Sequence, residues 1–384
     1  MKNILLLNKI TTTGLENLDP AEYNVGESIA DPEGVLVRSA SMHDMPIPES
    51  LLAVARAGAG VNNIPVDDYA KKGIVVFNTP GANANGVKEL ALCALMLASR
   101  DIIGGVEWAK TLTSDVAKSV EKGKSKFAGN EIKGKKLGVI GLGAIGGLVA
   151  NSAVELEMKV IGCDPYLSIE AAWNLDHNIV KAATYEDIYR QADYITLHVP
   201  ATPQTKNMIN AESISMMRDG VKIINLSRSD LVSAGDIRDA LASGKVSAYI
   251  TDFPTEDILG IPGVVAIPHL GASTEESENN CAAMAARQLD DYLRNGNIKN
   301  SVNYPSVSMP RSGKARICLL HSNIPAMLSQ ITSTFSENRV NIENLLNKSR
   351  GDVAYTIVDV AEDVTKRDIN KLNSIEGMIK VRVV

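Results

Sequence analysis

No run of about 18 apolar residues occurs anywhere in the chain, so no segment has the length of a bilayer-spanning helix. The first apolar run, Ile4–Leu7, is interrupted by Asn8 and Lys9, and no small-residue cleavage site follows. It is expected as a first buried strand and not as a signal peptide. Cysteine is sparse: Cys93, Cys163, Cys281 and Cys318 stand apart with no CxxC pair, which argues against a zinc site and against a disulfide framework. Each is expected to be a small buried hydrophobe, no metal is expected, and the protein is expected to be cytoplasmic. Positive charge is not in surplus either. A net charge of -6 argues against a nucleic-acid surface, and an anionic substrate would need a locally basic pocket. Histidine is limited to His43, His177, His198, His269 and His321. No short-period repeat or low-complexity tract is visible.

What is present is 384 residues, 45% hydrophobic and 22% charged, an ordinary globular mix too long for one core. Residues 1–99 alternate short strands (Ile4–Leu7, Gly34–Val37, Ile74–Phe77) with helical segments and end in an apolar helix, Gly86–Ser99. Residues 100–280 repeat a strand–helix rhythm: Lys136–Ile140, Lys159–Cys163, Tyr194–His198, Lys222–Asn225, Ser247–Thr251 and Val264–Ile267. These strands are nearly continuous apolar runs, which predicts a parallel sheet covered on both faces. A helix follows over Glu278–Leu293. The stretch 295–313, with two prolines and several Asn and Ser, reads as a linker. Residues 315–384 then read strand (Arg316–Leu320), helix (Pro325–Asn338), strand (Asn341–Asn347), strand (Ala354–Val360), helix (Thr365–Asn373), strand (Ile379–Val384), a βαββαβ order.

The strongest local signal is KKLGVIGLGAIGGLVANSAVE. An apolar strand runs into Gly141, Gly143 and Gly146, spaced GxGxxG, and a helix follows at once. The first glycine permits the turn, the second lets backbone approach a pyrophosphate, and the third lets helix and strand pack closely. Asp164 ends the next strand, where an acid accepts hydrogen bonds from ribose hydroxyls and repels a 2′-phosphate, favouring NAD over NADP. A glycine-rich turn without a ligand is the bland alternative. A whole domain precedes this fingerprint, an arrangement that leaves a cleft between two domains for a substrate.

Oxidation of a secondary alcohol needs a group to take the hydroxyl proton and a fixed cation for a carboxylate. His269 lies just past a buried strand in VVAIPHLGAST, Glu256 follows another in TDFPTED, and Arg228 ends KIINLSR. All three sit where a parallel sheet faces its ligand. A carboxylate beside an imidazole would raise its pKa, and a guanidinium can hold a carboxylate bidentately. His198 also ends a strand; His43 and His177 lie in polar, loop-like surroundings and are expected on the surface.

In this order GLGAIG, CDPY, LHVPATPQTKNMI, INLSR, DFPTE and PHLGAST resemble the D-2-hydroxyacid dehydrogenase family over roughly residues 1–305. The resemblance implies an α/β protein with two Rossmann-like doubly wound parallel-sheet domains: a substrate-binding domain (1–99 with 281–305) and an NAD-binding domain (100–280). It implies Arg228 as the substrate-orienting cation, His269 as acid/base and Glu256 as its partner. The cofactor pocket would take Gly141, Gly143, Ala144, Ile145, Gly146, Asp164, His198, Val199, Pro200, Thr205, Ser227, Asp252, Gly271 and Ala272, with no proton transfer for His198. LVRSA and ARAGAGVNNIPV are similar to the members whose substrate is D-3-phosphoglycerate. That likeness puts Arg38 and Ser39 at the phosphate, the backbone of Gly58, Ala59, Gly60 and Val61 at the carboxylate, and Asn83 beside the substrate; a surface charge is the other reading of Arg38.

The tail, after a linker at 306–314, resembles an ACT domain (315–384), a ferredoxin-like regulatory module. His321, Asn323 and Asn341 match positions that bind L-serine between two such domains, although helix and loop caps would use the same residue types. Members generally dimerise through the cofactor domain, and paired ACT domains would build a homotetramer. The departures are Ser229 and Ser233 for the usual Gly and Asp, TDF for DVF (Thr251, Asp252, Phe253), a short Glu256–His269 segment, Lys88 for a small residue, and Ile324-Pro325-Ala326 for Arg-Pro-Gly. Two alternatives stand beside the main reading: a dehydrogenase for another 2-hydroxy acid such as glycerate or lactate, and a non-catalytic NAD-sensing interaction protein.

Overall fold

The computed structural model describes residues 1–384. Its chain forms two compact units, Met1–Ala82 with Glu278–Val384, and Asn83–Ser277. In the first, five parallel strands, β1 (Lys2–Leu7), β2 (Tyr23–Gly26), β3 (Gly34–Val37), β4 (Ala53–Arg56) and β5 (Val75–Phe77), pair in the order β2-β1-β3-β4-β5. The alternation along them sends Ile4, Leu36, Ala55 and Phe77 to one face and Leu5, Val35, Val54 and Val76 to the other, and both faces are buried. The first face is covered by the helix Glu275–Asn295, through Ala282, Ala285, Leu289 and Tyr292. β2 and β4 carry no distinctive pattern in the sequence and were not anticipated there.

The second unit holds seven parallel strands: β6 (Lys136–Ile140), β7 (Lys159–Cys163), β8 (Val180–Lys181), β9 (Tyr194–Leu197), β10 (Val221–Asn225), β11 (Val246–Thr251) and β12 (Val264–Ala266). They pair in the order β12-β11-β10-β9-β6-β7-β8, so the winding reverses between β6 and β9, the place where such sheets open a crevice for ligands. Val139 and Ile224 go to one buried face, Ile195 and Ile223 to the other, which accounts for the unbroken apolar runs. The helix Ala84–Ser99 belongs to this unit and not to the first piece of chain. Ala91, Ala94 and Ala98 are small enough to bring it against Val149, Ala150 and Ala153 of the helix Ala144–Glu155.

The tail forms an antiparallel sheet of β13 (Ala315–Ser322), β14 (Ile342–Arg350), β15 (Val353–Val360) and β16 (Met378–Val383), ordered β14-β15-β13-β16. Ile317, Leu319, Val358 and Val360 pack under the helices Met327–Glu337 and Lys366–Asn373. The opposite face, Cys318, Leu320, Tyr355 and Ile357, joins the same buried cluster as Tyr292, Leu293 and Phe77, so the tail shares a core with the N-terminal sheet. Arg316 and Asp359 form a two-pronged ion pair there, Nε–Oδ1 2.6 Å and Nη2–Oδ2 2.7 Å, with both side chains fully buried. The remaining N–H groups of Arg316 donate to the carbonyls of Asn295 and Pro310, both at 2.9 Å.

Two expectations are thereby corrected. The stretch 295–313 is irregular, but it is no free linker: Ile298, Tyr304 and Val307 are buried, and Ile298 bridges Val307. Its composition concealed this because the few apolar residues follow no period. Cys163, Cys281 and Cys318 are buried as expected, whereas Cys93 is exposed on the helix Ala84–Ser99, opposite its packed alanines.

Candidate active site at the carboxyl edge of the seven-stranded sheet

Successive strands of the second unit end in the residues singled out by sequence. β6 runs into Gly141, β7 into Asp164, β9 into His198, β10 into Ser227 and Arg228, β11 into Asp252 and β12 into His269. Gly141 has φ +90°, and a β-carbon there would meet the His198 carbonyl oxygen at 2.5 Å. On Gly146 it would collide with the Gly141 carbonyl. Gly143, with φ -69°, faces open space, and no side chain caps the helix that starts at Ala144. The first-turn N–H groups of Ala144, Ile145 and Gly146 are therefore free for an anion, and only a glycine leaves the approach to them clear. Asp164 is held in place by N–H donors from Leu142 and Tyr166, each at 2.9 Å. These features fit a dinucleotide with a ribose hydroxyl pair at Asp164.

His198 is enclosed beside this loop. Its Nε2 meets Thr196 Oγ1 at 2.9 Å, Nδ1 has no partner, and burial holds its pKa down to about 4, so the ring is neutral. Val199 and Pro200 follow in a loop that Thr205 closes by donating to the Pro200 carbonyl at 2.6 Å. Ser227 Oγ donates to the Leu197 carbonyl at 2.7 Å, tying the ends of β9 and β10 together.

Asp252 is 1% exposed, and its Oδ1 has no hydrogen-bond partner. Burial pushes its pKa up, and backbone N–H donors, that of Gly271 among them, together with the Arg228 guanidinium oppose this only in part. An acceptor left bare inside a protein is costly, so this oxygen is one that a ligand N–H would satisfy. Gly271 packs against the same carboxylate, where a β-carbon would stand 3.5 Å from Oδ2, with Ala272 next to it.

Arg228 is exposed, donates from Nη1 to the Ser227 carbonyl at 2.6 Å, and lies 5.4 Å over the Phe253 ring. Phe253 also meets His269, ring centroids 4.4 Å apart. Arg228, Asp252 and His269 are thus gathered around one aromatic ring. Glu256 is not gathered with them: it sits exposed in the turn after Phe253, with no hydrogen bond and no ion pair to His269. The Glu256–His269 pair expected from sequence is open because the ring, and not the carboxylate, packs on the imidazole.

Two residues here were missed by sequence reasoning as parts of the site. Asn225 is fully buried and clamps the loop, its Oδ1 accepting from Ser227 N at 3.2 Å and its Nδ2 donating to the Arg228 carbonyl at 2.8 Å. An amide ending an otherwise apolar strand was the available signal. Phe253 is the other, an aromatic directly after a buried acid.

In the first unit, Arg38 and Arg56 end the neighbouring strands β3 and β4, where Val37 pairs with Arg56, and Arg56 Nε donates to the Arg38 carbonyl at 3.1 Å. Arg56 was also overlooked. Gly58 has φ +153°, and a β-carbon on it would collide with the Arg56 guanidinium. The N–H groups of Ala59, Gly60 and Val61 have no acceptor within the chain, while Asn78 Nδ2 pins the Ala59 carbonyl at 2.7 Å. Ser39 N donates to Asn8 Oδ1 at 2.9 Å. Arg38 Nη2 is not free: it pairs with Glu278 Oε1 at 2.7 Å. At the start of the second unit, Asn83 precedes the helix Ala84–Ser99 without capping it, and Lys88 Nζ lies 3.9 Å from Glu89 Oε1.

The three tail residues are not brought together within one chain. His321 is 2% exposed, with Nε2 on Thr356 Oγ1 at 2.8 Å and Nδ1 on the Ser322 carbonyl at 2.9 Å. Asn323 Nδ2 donates to the Gly351 carbonyl at 3.0 Å, whereas Asn341 precedes β14 at the other end of the sheet. His43 and His177 are exposed, as expected.

The family model for the D-isomer specific 2-hydroxyacid dehydrogenase NAD binding domain matches residues 93–271. The chain belongs to the D-isomer specific 2-hydroxyacid dehydrogenases. Within them it is similar over most of its length to D-3-phosphoglycerate dehydrogenases. The protein of Escherichia coli K12 is 33% identical over 350 residues, 87% of this chain and 82% of that one, and the Haemophilus influenzae protein is 31% identical over 345 residues, 87% and 81%. Among solved structures, NAD+-bound 3-phosphoglycerate dehydrogenase of Entamoeba histolytica superposes with a TM-score of 0.59 at 26% identity, covering 79% of this chain and 98% of its own. D-2-hydroxyisocaproate dehydrogenase, TM-score 0.64 at 22% identity over 79% and 100%, shares the fold.

Proposed function

We propose that the protein oxidises the C2 hydroxyl of D-3-phosphoglycerate to 3-phosphohydroxypyruvate with NAD, the first step of L-serine synthesis. The observation that carries this is the gathering of Arg228, Asp252 and His269 at the ends of the adjacent strands β10, β11 and β12, beside the glycine loop. NAD, when bound, supplies the hydride acceptor. The N–H groups of Ala144–Gly146 would hold its pyrophosphate, Asp164 its adenosine ribose, and the bare Asp252 Oδ1 would accept from an N–H of its nicotinamide end.

The chain's own residues do the rest. Arg228 holds the substrate carboxylate and polarises the carbonyl oxygen as it forms. His269 takes the hydroxyl proton on a ring nitrogen, and Glu256 steadies the resulting imidazolium once the turn at 254–260 brings it close. The free N–H groups of Ala59, Gly60 and Val61 suit a carboxylate, and Arg38 with Arg56 suits a phosphate. In this reading 1–82 with 278–305 serves the substrate, 83–277 the cofactor and 315–384 regulation. L-serine is the effector proposed for the tail; since both nitrogens of His321 are already engaged, its contacts fall to Asn323 and Asn341, across paired domains of a cytoplasmic homodimer or homotetramer.

The test is NADH formation by purified protein with D-3-phosphoglycerate, compared with D-glycerate and D-lactate, with and without L-serine. Turnover of phosphoglycerate alone is the expected result. The Arg38–Glu278 pair favours a second reading, in which the basic pocket is already neutralised and an unphosphorylated hydroxy acid is the substrate; preference for D-glycerate would establish that one.

A further inference from the structure

Arg38 is the residue placed at the substrate phosphate, and its guanidinium is occupied. Glu278 Oε1 lies 2.7 Å from Arg38 Nη2, with the two side chains 41% and 33% exposed. The pair is built from distant parts of the chain. Arg38 follows β3, and Glu278 lies in the first turns of the helix Glu275–Asn295. Arg56 borders it, since its Nε holds the Arg38 carbonyl. One turn further along the helix, the buried thiol of Cys281 lies within the fields of Arg56, Arg38 and Glu278. Two guanidinium groups and one carboxylate therefore share a small region at the carboxyl ends of β3 and β4, next to the free N–H groups of Ala59–Val61.

A phosphate ester brings about two negative charges at neutral pH and prefers the same fork of N–H donors that a carboxylate takes. Glu278 stands on that fork already. Half-exposed ion pairs are weak, so the pair does little for the fold and exchanges readily for a stronger anion. A phosphate on Arg38 must then displace the carboxylate and remain near its charge.

We propose that Glu278 is a specificity-determining residue: it competes with the substrate's phosphate for Arg38, keeping the guanidinium oriented in the free protein while lowering affinity for phosphorylated relative to unphosphorylated 2-hydroxy acids. The proposal rests on the reading that Arg38 meets the phosphate. Glu278 acts on the tail of the substrate and not on the reacting carbon, so its effect belongs in KM and in the binding of inorganic phosphate.

Three variants separate the outcomes: Glu278→Gln, Arg38→Met, and the two combined, each checked for an unchanged unfolding midpoint and NADH affinity. Glu278→Gln is expected to lower KM for D-3-phosphoglycerate roughly fivefold, with kcat held and KM for D-glycerate unmoved. Inorganic phosphate should become a stronger competitive inhibitor by a similar factor. Both gains should vanish in the double variant. An unchanged or raised phosphoglycerate KM in Glu278→Gln, alongside a raised KM in Arg38→Met, overturns the proposal while leaving the phosphate reading intact. An unchanged KM in Arg38→Met overturns the phosphate reading and the proposal with it.

Discussion

His198 and His269 both follow a strand of the same sheet, yet burial separates their chemistry. His198 is enclosed, with a pKa near 4, and stays neutral across the working range, so it carries no proton for the reaction. His269 is exposed beside Phe253, the same ring that Arg228 overlies. His269→Gln is expected to cut kcat by about a hundredfold or more while NADH still binds, read by fluorescence titration. His198→Gln should leave the shape of the pH–rate profile unchanged above pH ~6. The same burial links His198 to stability. Its folded pKa lies below its unfolded value, so its contribution is complete above about pH 6.5 and declines as pH falls towards 4, by about 3 kcal/mol in all. Urea unfolding across that window should show the decline in the parent and lose it in His198→Gln; identical curves would refute the assignment.

Among elements, the strand–turn–helix of β6 has three glycines with three different reasons. Gly146 admits no side chain, because a β-carbon would collide with the Gly141 carbonyl. Gly146→Ala should therefore destabilise the fold by about 1–3 kcal/mol as well as weaken NAD binding. Gly143 has open space around it, so Gly143→Ala should fold with an unchanged thermal midpoint and still bind NADH about tenfold less tightly, its methyl standing where a pyrophosphate approaches. Calorimetry and titration on the two variants decide it: equal losses of stability would mean the loop's glycines serve packing alone. The GxGxxG spacing was plain in the sequence, but that carbonyls close off Gly141 and Gly146 while Gly143 faces open space became visible only in the tertiary structure.

For the molecule as a whole, the tail is part of a core and not an appendage. Tyr355 Oη donates to the Gly296 carbonyl at 2.6 Å, Arg382 stacks 4.6 Å over Tyr292, and the Arg316–Asp359 pair seals the junction. Burial alone would raise the Asp359 pKa, but hydrogen bonds from Arg316 and Ser312 outweigh it and hold the carboxyl below the usual range. Its contribution is thus present above the unfolded carboxyl pKa and is lost as acid carries pH below the folded one. Arg316→Met strands the buried carboxylate and is expected to cost about 3–5 kcal/mol, whereas Arg316→Met with Asp359→Leu should recover most of that. Chemical denaturation gives both values; a harmless single variant would show that the tail docks without this pair.

The sequence by itself determined the parallel α/β plan, the cofactor loop, the βαββαβ tail and the family, because each rests on local periodicity or on motifs in fixed order. The seven strand-end residues from Gly141 to His269 were legible for the same reason: a parallel sheet delivers every strand's carboxyl end to one edge. Tertiary structure alone decided that Phe253 and not Glu256 packs on His269, that Glu278 takes Arg38, that His321 has no nitrogen to spare, and that an irregular stretch at 295–313 is packed through Ile298, Tyr304 and Val307. Each of those depends on a partner brought in from elsewhere on the chain or by the path of a turn, which no periodicity records.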